Sequence, residues 1–151
     1  MCHLQRSFLT PKVSVNIFSS PLLSSHFSHR YPLTLSKQIL RGILNISKQT
    51  TGKNYVNPDA TDWIEFSEKV SNLQSVSLLD LTKSDLIAFF LNIYHTLLLH
   101  SFIVLGVPSS GTDWKTLKSS ASYEIAGDLM NLRDIDEVIL GNGHGHLSLP
   151  H

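Results

Sequence analysis

A stripe of polar side chains lies within the most apolar stretch of the chain, residues 86–105, and consists of Asn92, Tyr94, His95 and His100. Two imidazoles and an amide on one wall of a cleft could bind a ligand or transfer a proton. Five residues separate His95 from His100, which places the two rings about 140° apart around a helix and suits joint metal chelation poorly. The stripe is therefore either a ligand-binding site or a structural set that ties a buried helix to neighbouring chain.

Histidines in the C-terminal tail and one cysteine are weaker candidates. His144, His146 and His151 lack supporting Cys or carboxylate ligands, so we interpret them as incidental rather than as a metal site. Cys2 has no partner in the sequence for a disulfide and no second thiolate for a zinc site. We find no phosphate-binding glycine loop, serine nucleophile elbow or zinc-protease motif, and we predict no metal and no cofactor.

An acidic cluster near the end of the chain contains Asp134, Asp136 and Glu137. Paired carboxylates can perform acid–base chemistry or hold a cation. A solvated helix face whose charge complements the positive end of the helix dipole explains the same residues without a ligand, and we favour that interpretation.

Charge is distributed unevenly although the formal net charge is zero. Residues 1–58 contain seven basic and no acidic residues, whereas residues 59–151 contain five basic and twelve acidic ones. The basic part could be an irregular solvated extension, a mitochondrial transit peptide, or an arm that binds nucleic acid or anionic lipid. We favour the solvated extension, so we expect no nucleic-acid partner and an intracellular location, cytoplasmic first and mitochondrial second.

The elements that would position these residues follow from hydrophobic periodicity and capping signals. Helical spacing of apolar residues predicts helices over residues 34–49 and 60–72. Residues 83–105 are predicted to form a long helix, with a capping box from Thr82 to Asp85 at its start and Gly106 at its end.

Three shorter features complete the prediction. Val76, Leu78 and Leu79 are expected to anchor the connection before the long helix. A small β-hairpin is predicted over residues 122–130, with its turn at Gly127. Asn131 is predicted to be the N-cap of a last helix.

The apolar run of the long helix would also be long enough to cross a membrane. Its polar stripe would lack partners in lipid, and no Lys or Arg cluster follows its C-terminal end. We therefore expect a central helix that is buried inside a water-soluble domain, and we expect membrane association to be absent.

Four segments of the chain together resemble the domain of unknown function 547 family. They are, in chain order, Gly52–Val56, Ala88–His100, Ser122–Gly127 and Leu132–Leu140. The resemblance extends over about residues 35–143, and its motif-matching residues are Tyr123, Gly127, Asp134 and Asp136. His95 stands where the family usually has Asn, and Ala126 replaces the first Gly of a Gly pair. A later cysteine-bearing block of the family has no counterpart in this sequence, so the resemblance implies an incomplete member.

These observations predict an α+β, mainly α fold with a long buried central helix, flanking helices and a small β-hairpin. We expect a disordered or weakly structured basic extension over residues 1–33, one domain over 34–142 and a flexible tail over 143–151. The resemblance implies no settled activity. Our first hypothesis is a non-catalytic helical scaffold or protein-interaction module with an unknown protein partner and an undetermined oligomeric state. The alternative is a partial hydrolase-like or small-molecule-binding domain with a polar pocket on the central helix.

Overall fold

Five α-helices and one β-hairpin form the described part of the chain, which in this computed structural model comprises residues 31–50 and 59–141. The elements are α1 (Tyr31–Thr50), α2 (Ala60–Ser71), a short 3-10 helix (Asn72–Ser75), α3 (Lys83–Leu105), α4 (Gly111–Ser120), β1 (Ser122–Ile125), β2 (Asp128–Asn131) and α5 (Leu132–Ile139). This is the mainly α fold with a small hairpin that the sequence predicts. Residues 1–30 of the extension predicted over 1–33, and the whole tail predicted over 143–151, lie outside the described residues.

Helix α1 begins at Tyr31, three residues before the predicted start at residue 34. Pro32 lies in its first turn, where a missing backbone N–H breaks no helical hydrogen bond. Leu35, Ile39 and Ile43 follow at four-residue spacing and are buried, so α1 presents one continuous apolar face to the core. Residues 31–33, which were assigned to the N-terminal extension, are part of α1.

Helix α3 has the predicted bounds because both of its caps form. The Thr82 hydroxyl accepts from the Asp85 backbone N–H at 3.1 Å and donates to the Asp85 carboxylate at 2.7 Å. At the other end, Gly106 adopts a φ of 85° and its N–H donates to the Phe102 carbonyl at 3.0 Å. These contacts satisfy backbone groups that a helix end leaves without partners.

Only one side of α3 is buried. Phe89, Phe90, Ile93 and Leu97 are fully buried in the core. On the opposite side lies a set that we call the outer face of α3, which consists of Leu91, His95, Leu98, Phe102 and Leu105. At 100° per residue these five positions fall within an arc of about 80°. They are exposed or half-buried, so part of the apolar surface that we expected to be covered is open to solvent.

The connection from α2 to α3 uses two of its three predicted anchors. Val76 and Leu78 are buried, but Leu79 is 64% exposed. The prediction was therefore wrong for Leu79, because neighbouring apolar residues on an irregular segment cannot all face the core.

The hairpin docks on the end of the 3-10 helix. Strands β1 and β2 pair antiparallel with Ser122 opposite Asn131 and Ile125 opposite Asp128. The Ala126 N–H at the turn donates to the Leu73 carbonyl at 2.9 Å. Directly after β2, Asn131 and Asp134 form a reciprocal capping box that starts α5 as predicted.

We predict that Ile39→Ala lowers the free energy of unfolding by about 2–5 kcal/mol, because Ile39 is fully buried and its truncation leaves a cavity. Leu44→Ala on the same helix is the matched control, since Leu44 is 40% exposed and should cost less than about 1 kcal/mol. Urea unfolding followed by circular dichroism measures both values. Equal losses for the two variants would show that α1 does not present this face to the core.

A second prediction concerns the hairpin turn, whose two central residues, Ala126 and Gly127, have φ values of 53° and 89°. Positive φ is costly for a residue with a Cβ atom, so Ala126→Gly should raise the free energy of unfolding by roughly 1 kcal/mol. Ala60→Gly provides the control, because Ala60 is exposed on a helix with ordinary φ and should lose up to about 1 kcal/mol. Denaturant unfolding measures both variants. If both lose stability, the backbone of Ala126 is not strained.

Candidate functional site

A buried imidazole–phenol pair links α3 to the hairpin. His100 on α3 and Tyr123 on β1 approach so that His100 Nδ1 lies 2.8 Å from the Tyr123 hydroxyl. His100 is 9% exposed and Tyr123 is 1% exposed. The two residues are 23 positions apart in the sequence. They meet because His100 lies on a buried side of α3 and Tyr123 is a buried residue of β1.

Aromatic rings from α2 enclose this pair. The Phe66 ring stands edge-on to the His100 imidazole with 5.2 Å between centroids, and the Trp63 ring lies 5.8 Å away. Trp63 and Phe66 also pack edge to face, with centroids 5.9 Å apart. Neither residue could be placed beside His100 from the sequence, because local spacing does not reveal which face of α2 meets which turn of α3.

Burial in this apolar surrounding determines the charge of both groups. Desolvation lowers the pKa of His100 to about 4 and raises the pKa of Tyr123 well above its ordinary value. Both groups are therefore neutral at pH 7, and the imidazole tautomer determines which of them donates the hydrogen bond. Such a pair donates or accepts hydrogen bonds at neutral pH, and it is a poor general base because the imidazole binds a proton weakly.

Asn92 serves a different contact, on the side of α3 that meets α1. Its amide donates to the Ser36 hydroxyl at 3.1 Å, and that hydroxyl donates to the Leu33 carbonyl at 2.9 Å. The Thr96 hydroxyl donates to the Asn92 carbonyl at 2.8 Å. Asn92 therefore links α3 to α1 through Ser36, a residue 56 positions earlier in the sequence.

His95 lies on the outer face of α3, away from His100. Its Nδ1 is 2.7 Å from the Leu91 carbonyl of the preceding turn, and its side chain is exposed. The two imidazoles of the predicted stripe therefore do not converge on one cleft. They lie on different sides of the helix, as their five-residue spacing requires.

Tyr94 belongs to a third location, where α3, α4 and α5 meet. Lys118 Nζ on α4 lies 2.9 Å from the Asp136 carboxylate on α5. The Asp136 hydrogen bond raises the pKa of Lys118, and Tyr94 adds smaller contributions in the same direction. The sequence did not predict a role for Lys118, because its partner Asp136 lies 18 residues later and no motif pairs the two residues.

The motif-matching residues have separate places. Tyr123 faces His100, and Gly127 supplies the second positive φ of the hairpin turn. The Asp134 carboxylate accepts from the Asn131 backbone N–H at 2.9 Å, and Asp136 pairs with Lys118. Two members of the acidic cluster thus serve a helix cap and an ion pair, and the third, Glu137, is exposed.

Within residues 31–50 and 59–141, no group of three His, Cys, Asp or Glu side chains is placed to hold a metal ion. The histidines of the tail at 144, 146 and 151 lie outside these ranges. Every fully buried side-chain nitrogen or oxygen in the described ranges has a hydrogen-bond partner.

We predict that acid weakens the fold through His100. The unfolded imidazole binds a proton near pH 6.5, whereas the folded one does so only near pH 4, so stability is complete above pH 6.5 and is lost as the pH falls toward 4. The loss amounts to roughly 3 kcal/mol. Urea unfolding of wild type and His100→Gln at pH 7.0, 5.5 and 4.5 should show a flatter pH dependence for the variant.

The matched control for this experiment is His95→Gln, because His95 is exposed and bonds only to its own helix. This variant should keep the wild-type pH dependence. If His100→Gln loses stability between pH 7.0 and 4.5 as steeply as His95→Gln does, the neutral buried imidazole is not the cause.

Most of these residues lie in a segment that is similar to a known protein family. Residues 78–150 match the family described as "Protein of unknown function, DUF547". No curated protein and no solved structure matches the chain. The match includes α3, α4, the hairpin and α5, while α1, α2 and the segment Gly52–Val56 precede it. The matched segment contains His100, Tyr123, Asp134 and Asp136, and over these residues the chain is similar to members of that family.

Proposed function

We propose that this chain is a non-catalytic helical module that binds another protein through the outer face of α3. The observation that carries the proposal is the partial exposure of apolar residues along one entire side of the most apolar helix. Leu91 and Leu105 are each 39% exposed, and Leu98 and Phe102 are half-buried between them. Contiguous exposed apolar surface of this kind is typical of sites where a protein meets a partner.

The chemical character of this face supports a protein partner. No Lys, Arg, Asp or Glu occurs between residues 86 and 112, and the core of a protein interface is depleted of charge in the same way. Trp114 on α4 lies beside the face, with its ring edge-on to Phe102 at 5.7 Å, and it is 37% exposed. Exposed aromatic side chains such as these are frequent anchors of binding energy.

A bilayer is a less favourable environment for this helix. Helix α3 is long and apolar enough to cross a membrane, a test that core helices of soluble proteins also pass. Spanning a membrane would separate Asn92 from Ser36 and His100 from Tyr123, and each separation would leave a polar group in hydrocarbon without its partner. The proposal therefore retains a water-soluble, intracellular module.

The polar stripe gives less support to the alternative of a hydrolase-like or small-molecule site. Asn92, His95 and His100 lie on different sides of α3, and each contacts protein groups. A substrate-binding wall would need these groups to converge on one opening. The proposal accordingly uses the stripe as internal ties that hold α3 in place.

The test uses Trp114 as a reporter of occupancy. A Trp63→Phe background removes the other tryptophan and keeps an aromatic ring beside His100. Titration with a synthetic amphipathic helical peptide, whose apolar face carries only Leu, should shift Trp114 emission to shorter wavelength and saturate. We expect Phe102→Lys in the same background to weaken peptide binding at least tenfold, because a lysine would be desolvated at the centre of the contact.

Leu129→Lys provides the matched control for the peptide titration. Leu129 is 63% exposed on β2, and the same added charge there should leave peptide affinity unchanged. Circular dichroism checks that all variants keep their helical content. An emission that does not respond to peptide, or an equal response of Phe102→Lys and wild type, would contradict binding through the outer face of α3.

A further inference from the structure

We propose that the exposed side of α1 binds to the surface of a bilayer that contains anionic phospholipids. The residues concerned are Lys37, Arg41, Leu44 and Lys48, which we call the basic stripe of α1, and all four are exposed. This surface is distinct from the outer face of α3. Its binding to lipid does not depend on the protein partner proposed for that face.

The basic stripe is a straight line along α1. Its residues follow each other at intervals of four, three and four, so at 100° per residue they fall within an arc of about 60°. From Lys37 to Lys48 the helix rises about 17 Å. The fully buried residues Ile39, Ile43 and Ile46 lie on the opposite side of the same helix. The stripe therefore points away from the core, and a flat surface can contact all four side chains at once.

The cations of the stripe have no acidic partner within the described structure. Helix α1 contains no Asp or Glu, and both ion pairs of residues 31–50 and 59–141 lie outside it. One carboxylate of α2 does reach α1, but Asp62 accepts there from the Gln49 amide at 2.8 Å. Three positive charges in one line are complementary to a partner that presents several negative charges over a similar distance.

Leu44 makes a bilayer surface a better partner for this stripe than a nucleic acid. Its side chain is 40% exposed between Arg41 and Lys48. At a bilayer surface the cations meet anionic headgroups, while a leucine between them enters the boundary of the acyl chains. A nucleic acid backbone offers a leucine at this position no apolar environment. The stripe also has no aromatic side chain on which a base could stack.

Binding of this kind leaves the fold intact. A helix at the interface lies on the membrane and does not cross it, so α3 keeps its place in the core and its polar contacts. The sequence left an arm for anionic lipid as one interpretation of residues 1–58, and the alignment of three cations on one side of α1 favours it. Each cation near the surface strengthens binding by a factor of roughly five, so the attachment is reversible and weakens as salt is added.

Flotation of the full chain with vesicles tests the proposal. We expect binding to phosphatidylcholine vesicles that contain about 30% phosphatidylserine at about 50 mM salt, with loss of binding at about 500 mM. Vesicles of phosphatidylcholine alone should not bind the chain. Arg41→Gln combined with Lys48→Gln should lower the binding constant about thirtyfold, because two charges are removed. Lys83→Gln combined with Lys115→Gln is the matched control, since both lysines are exposed outside α1, and it should bind like wild type.

A second substitution separates a bilayer from other polyanions. Leu44→Gln keeps every charge but removes the side chain that enters the acyl boundary, so it should weaken vesicle binding at least about threefold. The same variant should leave the much weaker retention on a heparin column unchanged, because that retention depends on charge alone. Circular dichroism checks that all variants keep their helical content.

Four results would overturn the proposal. The first is no flotation with the anionic vesicles at low salt, and the second is equal flotation with pure phosphatidylcholine, which would indicate an apolar contact. The third is equal binding by wild type and the variant at positions 41 and 48, which would assign the binding to residues outside the stripe. The fourth is unchanged vesicle binding of Leu44→Gln together with tighter binding of the wild type to a labelled DNA duplex than to vesicles, which would identify a nucleic acid as the partner.

Discussion

The packing of the inner side of α3 against α1 is the contact on which the other features of this structure depend. Ile39 and Ile43 of α1 and Phe89, Ile93 and Leu97 of α3 are all fully buried. Removing that much apolar surface from water stabilises the pair by several kcal/mol, more than any single polar contact in the described structure. Once α3 is fixed in this orientation, Asn92 faces Ser36, His100 faces Tyr123, and the outer face remains partly exposed.

The polar contacts around α3 refine this packing. The Asn92–Ser36 bond sets how far α1 and α3 slide along each other, because a displacement of one turn would leave the amide without its acceptor. The His100–Tyr123 bond ties the hairpin to the C-terminal half of the same helix. Tyr94 and the Lys118–Asp136 pair lie where α4 and α5 close the remaining side. Each contact orients one element against α3, which explains why the stripe divides among three neighbours.

Local features could be predicted from the sequence, and long-range ones could not. The bounds of α3 and the start of α5 depend on caps formed within four residues, so Thr82, Gly106 and Asn131 identify them directly. The hairpin followed from its apolar strands and its turn. The partners of Asn92 and Tyr94 are 56 and at least 24 residues away, and no local pattern encodes them. Apolar residues surround α3 on all sides, so periodicity could not reveal which side would be buried.

The family match and the packed core have different extents. The segment that matches the DUF547 family starts at residue 78, yet α1 and α2 supply Ile39, Ile43 and Phe66 to the same core as Phe89 and Leu132. A fragment trimmed to the matched residues would expose the inner side of α3 to water. For this reason we propose that the folding unit begins at α1, near the predicted boundary at residue 34, and that residues ahead of the matched segment are structural partners of it.

The order of α1 and α3 along the chain has a consequence for synthesis in the cell. The ribosome releases α1 first, and the apolar α3 emerges before the hairpin and α5 have been made. At that moment α1 and α2 are the elements of the core already available to cover the inner side of α3. Early docking of these helices would shield the nascent chain from aggregation, whereas the outer face would still be open to chaperones.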